Sequence, residues 1–308
     1  MKNCSCSEMQ GSVRERTLEI FATIRSRCPV LKQIFVPDNI WPEFQKWHRQ
    51  PDKAAFHRSI LLLALERGYL GRVTSAIHRY LITAGLPRTE VRKQYLKDLR
   101  ERWMYSSAME RHRKFRSFFG KVVELQFAEW LESQGWTVSE LEALQEGPDI
   151  GAKRTERRDT AFEVKFIGKE DFDFEKLLES IKDEEKEGAG GWSASPYVAA
   201  NYLLFRAYEA AKQLKKTTYD RIAVLVISEN DHTWFRFHDQ IKNNWIDWTN
   251  PTYFSGDDKW EEFLTRQKTR YPNLKDDLKP TLESLNAVWI LGHSNHQFNL
   301  KVEVPFGA

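Results

Sequence analysis

The spacing of hydrophobic and polar residues changes near residue 120. From residue 11 to about 119, apolar side chains recur at helical intervals and are interrupted by several prolines and glycines. This pattern predicts an all-helical region of about five or six helices, the last one covering about residues 89–118. Beyond Gly120 the spacing predicts a shorter helix and then alternating strands and helices.

The second part of the chain has a definite predicted order of elements. We predict a helix at 121–134, strands at about 136–144, 149–153 and 160–167, a helix at 198–215 and a strand at 221–228. The run from Ile222 to Ile227 is entirely apolar, which is typical of a strand buried on both faces. For the tail, 231–308, we predict a helix at about 259–268, a polar link at 272–280, and a hairpin of strands 287–291 and 298–304. The sequence therefore predicts an α/β core between a helical domain and a small α+β elaboration.

Charge divides the chain in the same way. The 308 residues carry a net charge of +3, but residues 1–120 hold 23 Lys and Arg against 11 Asp and Glu, while the remainder holds 24 against 33. The strongest basic cluster, which we predict to bind nucleic acid, consists of Arg111, Arg113, Lys114 and Arg116. An ordinary, unevenly charged surface explains the division equally well. Charge alone does not distinguish a nucleic-acid-binding surface from an ordinary one, so the choice depends on the sequence motifs.

Several classes of protein are excluded by pattern. The best apolar runs, 60–65 and 222–227, are far shorter than the ~18 residues of a membrane span, and the first residues lack the apolar region of a signal peptide. We therefore expect a cytoplasmic protein that does not associate with membranes. Gly120-Lys121 lacks the upstream glycine of a phosphate-binding loop, so an ATPase activity would have to come from a partner.

The candidate chemistry lies on the predicted strands 149–153 and 160–167. Residues two apart in a strand face the same side, so Glu163 and Lys165 are predicted to project together. Asp149 and Glu163 lie symmetrically about residue 156, and a hairpin turning there places them opposite one another. Two carboxylates and a lysine then converge.

This set of side chains suits hydrolysis of a phosphodiester. Mg²⁺ takes oxygen ligands and keeps several waters, so Asp149 and Glu163 suffice to hold it, while Lys165 holds or activates the attacking water. Glu124, on the preceding helix, is a candidate further ligand, with Glu129 as the alternative. The other reading is an amphipathic strand whose charges face water.

These residues and the order helix, three strands, helix, strand resemble the PD-(D/E)xK nuclease superfamily, which has the restriction-endonuclease-like fold. The resemblance covers about residues 117–230, and residues 120–136 also resemble the Holliday-junction resolvase and Mrr-like branches. It implies that Glu124, Asp149 and Glu163 bind Mg²⁺ or Mn²⁺, that Lys165 serves the nucleophile, and that DNA is the preferred substrate. Together with the change of pattern along the chain, this predicts a domain division of 1–116, 117–230 and 231–308, in which the first and last parts resemble no family.

Two further points stay open at this level. The second predicted helix carries a polar stripe formed by Tyr202, Arg206, Glu209 and Gln213. From this stripe Arg206 is a candidate to grip the scissile phosphate, and a solvated helix face is the equal alternative. Residues 170–187 hold nine Asp and Glu against three Lys, and we interpret them as an insertion or flap. An acidic flap and the missing ATPase suggest an alternative function, namely a nucleic-acid-binding or partner-licensed subunit of a defence or repair complex. Its nuclease site would be silent until the partner supplied ATPase or licensing activity.

Overall fold

The computed structural model describes residues 97, 108–141, 147–154, 158–167, 196–229, 237, 246–253, 261, 264–265, 267–294 and 297–306, with the side chains of 108–119 and 196–198 left aside. The elements in chain order are α1 (Ala108–Ser133), β1 (Thr137–Leu141), β2 (Ile150–Lys153), β3 (Thr160–Ile167), α2 (Pro196–Leu214), β4 (Asp220–Ser228), α3 (Leu274–Leu282), β5 (Ala287–Ser294) and β6 (Gln297–Pro305). The chain separates into two compact units, Met1–Glu129 and Trp130–Ala308.

All six strands belong to one sheet, in the order β1-β2-β3-β4-β5-β6. The pairs β1/β2, β2/β3 and β5/β6 are antiparallel, whereas β3/β4 and β4/β5 are parallel. The parallel pairs require crossover connections, and α2 supplies the one between β3 and β4. The molecule is thus of the mixed α/β class, and the predicted order helix, three strands, helix, strand is present.

Alternation along the central strands gives the sheet two different apolar faces. One face, with Ala161, Ala223 and Leu225, joins a buried cluster with α2 and α3. The alanines of α2 allow its backbone to approach the sheet closely: Ala199, Ala200, Ala207, Ala210 and Ala211 are all buried. The other face is aromatic. There Phe162 of β3 packs against Trp136 and Trp289, with ring centroids 5.3 and 5.5 Å away.

A glycine ends α1 by a specific backbone arrangement. Gly135 has φ +84°, and the amides of Gly135 and Trp136 bond back to the carbonyls of Glu132 and Leu131. This is the Schellman arrangement, in which a residue in the left-handed region satisfies the last helical carbonyls. The turn places Trp136 on the aromatic face of the sheet. Gly135 therefore ends the helix, and Trp136 is the first residue after it that packs in the core.

Two sequence predictions are wrong. The pattern placed a helix boundary near Gly120, but α1 continues through this position from Ala108 to Ser133. A single glycine weakens a helix by about 1 kcal/mol without ending it. Residues 272–280 were predicted as a polar link, but α3 occupies 274–282 and contains Pro280. Half of the predicted helix at 259–268 lies outside the described residues, and of the other half residues 261, 264, 265 and 267 are helical.

The strand predictions are confirmed for the described residues, with small changes at their ends. Of the strand predicted at about 136–144, β1 covers 137–141, and residues 142–144 lie outside the described residues. Strand 160–167 has the predicted bounds, and β2, β4, β5 and β6 differ from the predictions by one to three residues at an end. The terminal hairpin is present, and its first strand pairs directly with β4. The predicted boundary at 230/231 therefore passes between two neighbouring strands of one sheet. Within the described residues, no helix is long and apolar enough to cross a bilayer.

Candidate active site

Strand β3 carries a buried ion pair on the face covered by α2. Glu163 is 1% exposed, and its Oε1 accepts a hydrogen bond of 2.6 Å from Nζ of Lys165, whose side chain is 15% exposed. The two residues share a face because they are two apart in a strand, as the sequence predicted. Ala161 and Ile167 continue the same face on either side and are fully buried. The Glu163 carboxylate is therefore enclosed by the protein, whereas the Lys165 ammonium is partly exposed.

Asp149 joins this pair at the end of the β2/β3 ladder. The register pairs Ile150 with Phe162, and its continuation by one residue sets Asp149 opposite Glu163. The Oδ2 atom of Asp149 accepts a hydrogen bond of 2.9 Å from the backbone N–H of Val164. The Asp149 carboxylate is thus bonded to the residue that lies between Glu163 and Lys165. The predicted hairpin register is confirmed, and the turn itself, residues 155–157, lies outside the described residues.

A fourth side chain reaches the pair from α2. Gln213, in the last turn of this helix, accepts a short hydrogen bond at Oε1 from Nζ of Lys165, 48 residues earlier in the chain. The sequence placed Gln213 on the polar stripe of the helix but assigned it no role. The polar stripe was the only sequence feature that pointed to Gln213. The packing of α2 against β3 determines that this residue of the stripe, and not another, reaches Lys165.

Burial makes this arrangement energetically demanding. Removal of two charges from water costs more than a simple pair recovers unless further hydrogen bonds satisfy both ions, and loss of one partner of a buried pair costs about 3–5 kcal/mol. Gln213 gives the lysine a second acceptor. A buried ion pair is therefore weak evidence for stability, and loss of either partner should be costly.

The chemistry of the donors fits a hard divalent cation. Asp149 and Glu163 offer carboxylate oxygens, which Mg²⁺ and Mn²⁺ prefer, and Mg²⁺ completes its shell with water. Across the described part of the chain, no group of three or more His, Cys, Asp or Glu side chains comes together closely enough to hold a metal ion. Asp149 and Glu163 are the two acidic side chains that the described residues bring to this position.

Glu124 is described separately because it belongs to the unit Met1–Glu129. It is 7% exposed, and its Oε2 forms a short ion pair with Nζ of Lys121, one helical turn earlier. Glu129, the alternative, is half-buried. The assignment of either residue as a metal ligand stays a prediction.

Arg206 lies in a buried polar cluster on α2. Its Nη1 bonds to Oε2 of Glu209 at 2.7 Å, and Oε1 of the same carboxylate accepts a hydrogen bond of 3.0 Å from the Tyr271 hydroxyl. Burial acts to lower the pKa of Arg206, but Tyr202 and Glu209 beside it leave that pKa raised overall. Burial raises the pKa of Tyr271, and the neighbouring Glu209 raises it further. Because the guanidinium is engaged inside the protein, its role at a phosphate stays a prediction.

The basic cluster lies on α1, which contains the backbone of Arg111, Arg113, Lys114 and Arg116. Their side chains fall outside the described residues, as does the acidic segment 170–187, so both predictions stand as made. Comparisons of the chain with known proteins returned no matching family model, no matching curated protein and no matching solved structure.

Proposed function

We propose that the protein is a Mg²⁺- or Mn²⁺-dependent nuclease that hydrolyses phosphodiester bonds, most readily in DNA. The observation that supports this proposal best is the convergence of Asp149, Glu163 and Lys165 at one end of the β2/β3 hairpin, on a face covered by α2. The resemblance of the motif to the restriction-endonuclease-like fold points the same way.

Each residue has a separate task in this proposal. Asp149 and Glu163 hold the cation, which supplies Lewis-acid polarisation of the phosphate and of bound water. Lys165 donates a hydrogen bond to the attacking water and places a positive charge near the phosphate as negative charge builds there. The apolar residues Ala161 and Ile167 lower the local dielectric, which strengthens both interactions.

The alternative function, a partner-licensed subunit, stays a prediction. The acidic segment on which it rests is outside the described residues. The experiment below also addresses it, since a silent site binds metal without cutting.

The test is cleavage by the purified chain of linear, supercoiled and single-stranded DNA and of RNA, in Mg²⁺, Mn²⁺ or EDTA. We expect Asp149→Asn and Glu163→Gln to lose metal-dependent cleavage and to weaken metal binding in calorimetry. Lys165→Gln should retain metal binding and cleave about 100-fold more slowly or worse, the lower end of what a positioned proton-transfer group contributes. Glu303→Gln, an exposed acid on β6, is the matched control and should behave as wild type.

Full cleavage in EDTA, or by Asp149→Asn, would contradict the proposal. Metal binding that depends on Asp149 and Glu163, without cleavage of any substrate, would favour the partner-licensed alternative. Circular dichroism of each variant separates loss of function from loss of fold.

A further inference from the structure

Lys165 is held by acceptors from two different elements. Its ammonium has three N–H donors, of which one bonds to Oε1 of Glu163 on β3 and another to Oε1 of Gln213 on α2. One donor remains for a group outside this set. Glu163 is buried, whereas the Gln213 side chain is exposed and reaches Lys165 from the helix surface. With two of its donors directed at these acceptors, the ammonium has one N–H whose direction is restricted by both contacts.

An unanchored lysine would not keep that direction. The side chain has four rotatable bonds and carries about 2 kcal/mol of rotamer entropy. Glu163 is only two residues away on the same strand, and a single hydrogen bond to it leaves the ammonium free to swing about that contact. Gln213 supplies the second point, and it is itself fixed to the last turn of a helix packed on β3 and β4.

The absence of a charge on Gln213 affects Lys165 as much as the position of Gln213 does. A carboxylate here would place Lys165 between two anions and offset the charge of the ammonium. An amide oxygen accepts the hydrogen bond and leaves the positive charge available to a phosphate or a developing hydroxide. Through Gln213, α2 thus orients the Lys165 ammonium without neutralising its charge.

We propose that Gln213 is the positioning residue for Lys165: it fixes the ammonium so that its remaining N–H points at the nucleophile. This inference rests on the proposed nuclease function for its consequence and on the Lys165–Gln213 contact for its geometry. It adds to the site a residue that touches neither metal nor substrate.

The kinetic test compares Gln213→Ala, Gln213→Glu and the control Gln134→Ala, an exposed glutamine just beyond the end of α1. A displacement of about 1 Å at a catalytic group costs about 100-fold, so we expect kcat of Gln213→Ala to fall by about that factor. KM and the metal affinity should change less than about twofold, because the contacts to substrate and cation are kept. Gln134→Ala should match wild type.

A second readout follows the lysine itself. With ¹⁵N-labelled lysine, the Nζ signal of Lys165, assigned by its absence in Lys165→Gln, should show slow hydrogen exchange in wild type. It should exchange faster in Gln213→Ala and slowly again in Gln213→Glu, which restores an acceptor. Because Gln213→Glu also offsets the charge, its kcat should stay below that of wild type although the ammonium is held.

The two readouts separate the inference from the proposed function. Unchanged kcat together with unchanged Nζ exchange in Gln213→Ala would overturn the positioning role. If wild type cuts no substrate, the nuclease proposal fails, and the exchange measurement then decides alone whether Gln213 holds Lys165. An equal fall of kcat in Gln134→Ala would also count against a specific role for Gln213.

Discussion

At the scale of single residues, α2 contacts charged side chains at two places within the described residues. Lys165 meets Gln213 near the end of the helix, and Arg206 meets Glu209 two turns earlier. The first group is connected to the acids of β3, whereas the second is closed in by tyrosines. The two groups differ in their partners: Lys165 contacts Glu163 and Gln213, whereas the Glu209 carboxylate contacts Arg206, Arg270 and the Tyr271 hydroxyl.

The tyrosine cluster predicts sensitivity to alkali. Burial and the nearby Glu209 raise the pKa of Tyr271 above the value of about 10 that it has in the unfolded chain. The stability due to this shift is fully present below about pH 10 and is lost as pH rises above it, because the unfolded chain then releases the proton first. We expect the free energy of unfolding in urea to fall above pH 10, and to fall less in Tyr271→Phe. Parallel curves for wild type and variant would contradict this.

At the scale of elements, alternation proved the most reliable signal. Phe162, Val164 and Phe166 face one side of β3 and Glu163 and Lys165 the other, so the strand and its polar face were both predictable. The register of the β2/β3 hairpin was predictable too, because it follows from the positions of Asp149 and Glu163 and from a turn at the residue midway between them. The strand, its polar face and the hairpin register all depend on residues close together in the sequence, so the spacing of those residues predicts them.

The helix errors have the opposite cause. Gly120 and Pro280 break helices by propensity, yet α1 and α3 pass through both positions. Packing of the buried residues Leu274, Leu278 and Leu282 stabilises α3 despite its proline. Tertiary contacts override propensities of this size, and no local pattern reveals where they do so.

Pro280 should therefore lower the stability of the protein relative to a residue that favours helices. Proline in a helix is about 3 kcal/mol less favourable than alanine, while it favours folding by about 0.4–1 kcal/mol through the unfolded chain. We expect Pro280→Ala to raise the free energy of unfolding by about 2 kcal/mol in urea titration. The exposed neighbour Lys279→Ala should change it by less than about 0.5 kcal/mol. A lower stability of Pro280→Ala would show that α3 depends on the proline.

At the scale of the whole molecule, the sequence predicted the class of architecture and the acids of the site but not how distant parts combine. The hairpin 287–304 was recognised, whereas its parallel pairing with β4 was not, because β4 and β5 are separated by a long stretch of chain. The same limit applies to Gln213, which reaches Lys165 only when α2 packs across the sheet. Contacts over such separations depend on the fold as a whole.

That difference in sequence separation gives the site an order of assembly. The contact of Asp149 with the Val164 amide spans 15 residues and needs only the β2/β3 hairpin, whereas that of Lys165 with Gln213 spans 48 residues and needs α2 in place. Short hairpins close in about 1–10 μs, and parallel pairing through a crossover is slower. In pulsed hydrogen exchange during refolding, we expect the Val164 amide to be protected before those of β4. Simultaneous protection would contradict this order. In a refolding chain, Asp149 and Glu163 would then be paired across the hairpin before Lys165 meets Gln213.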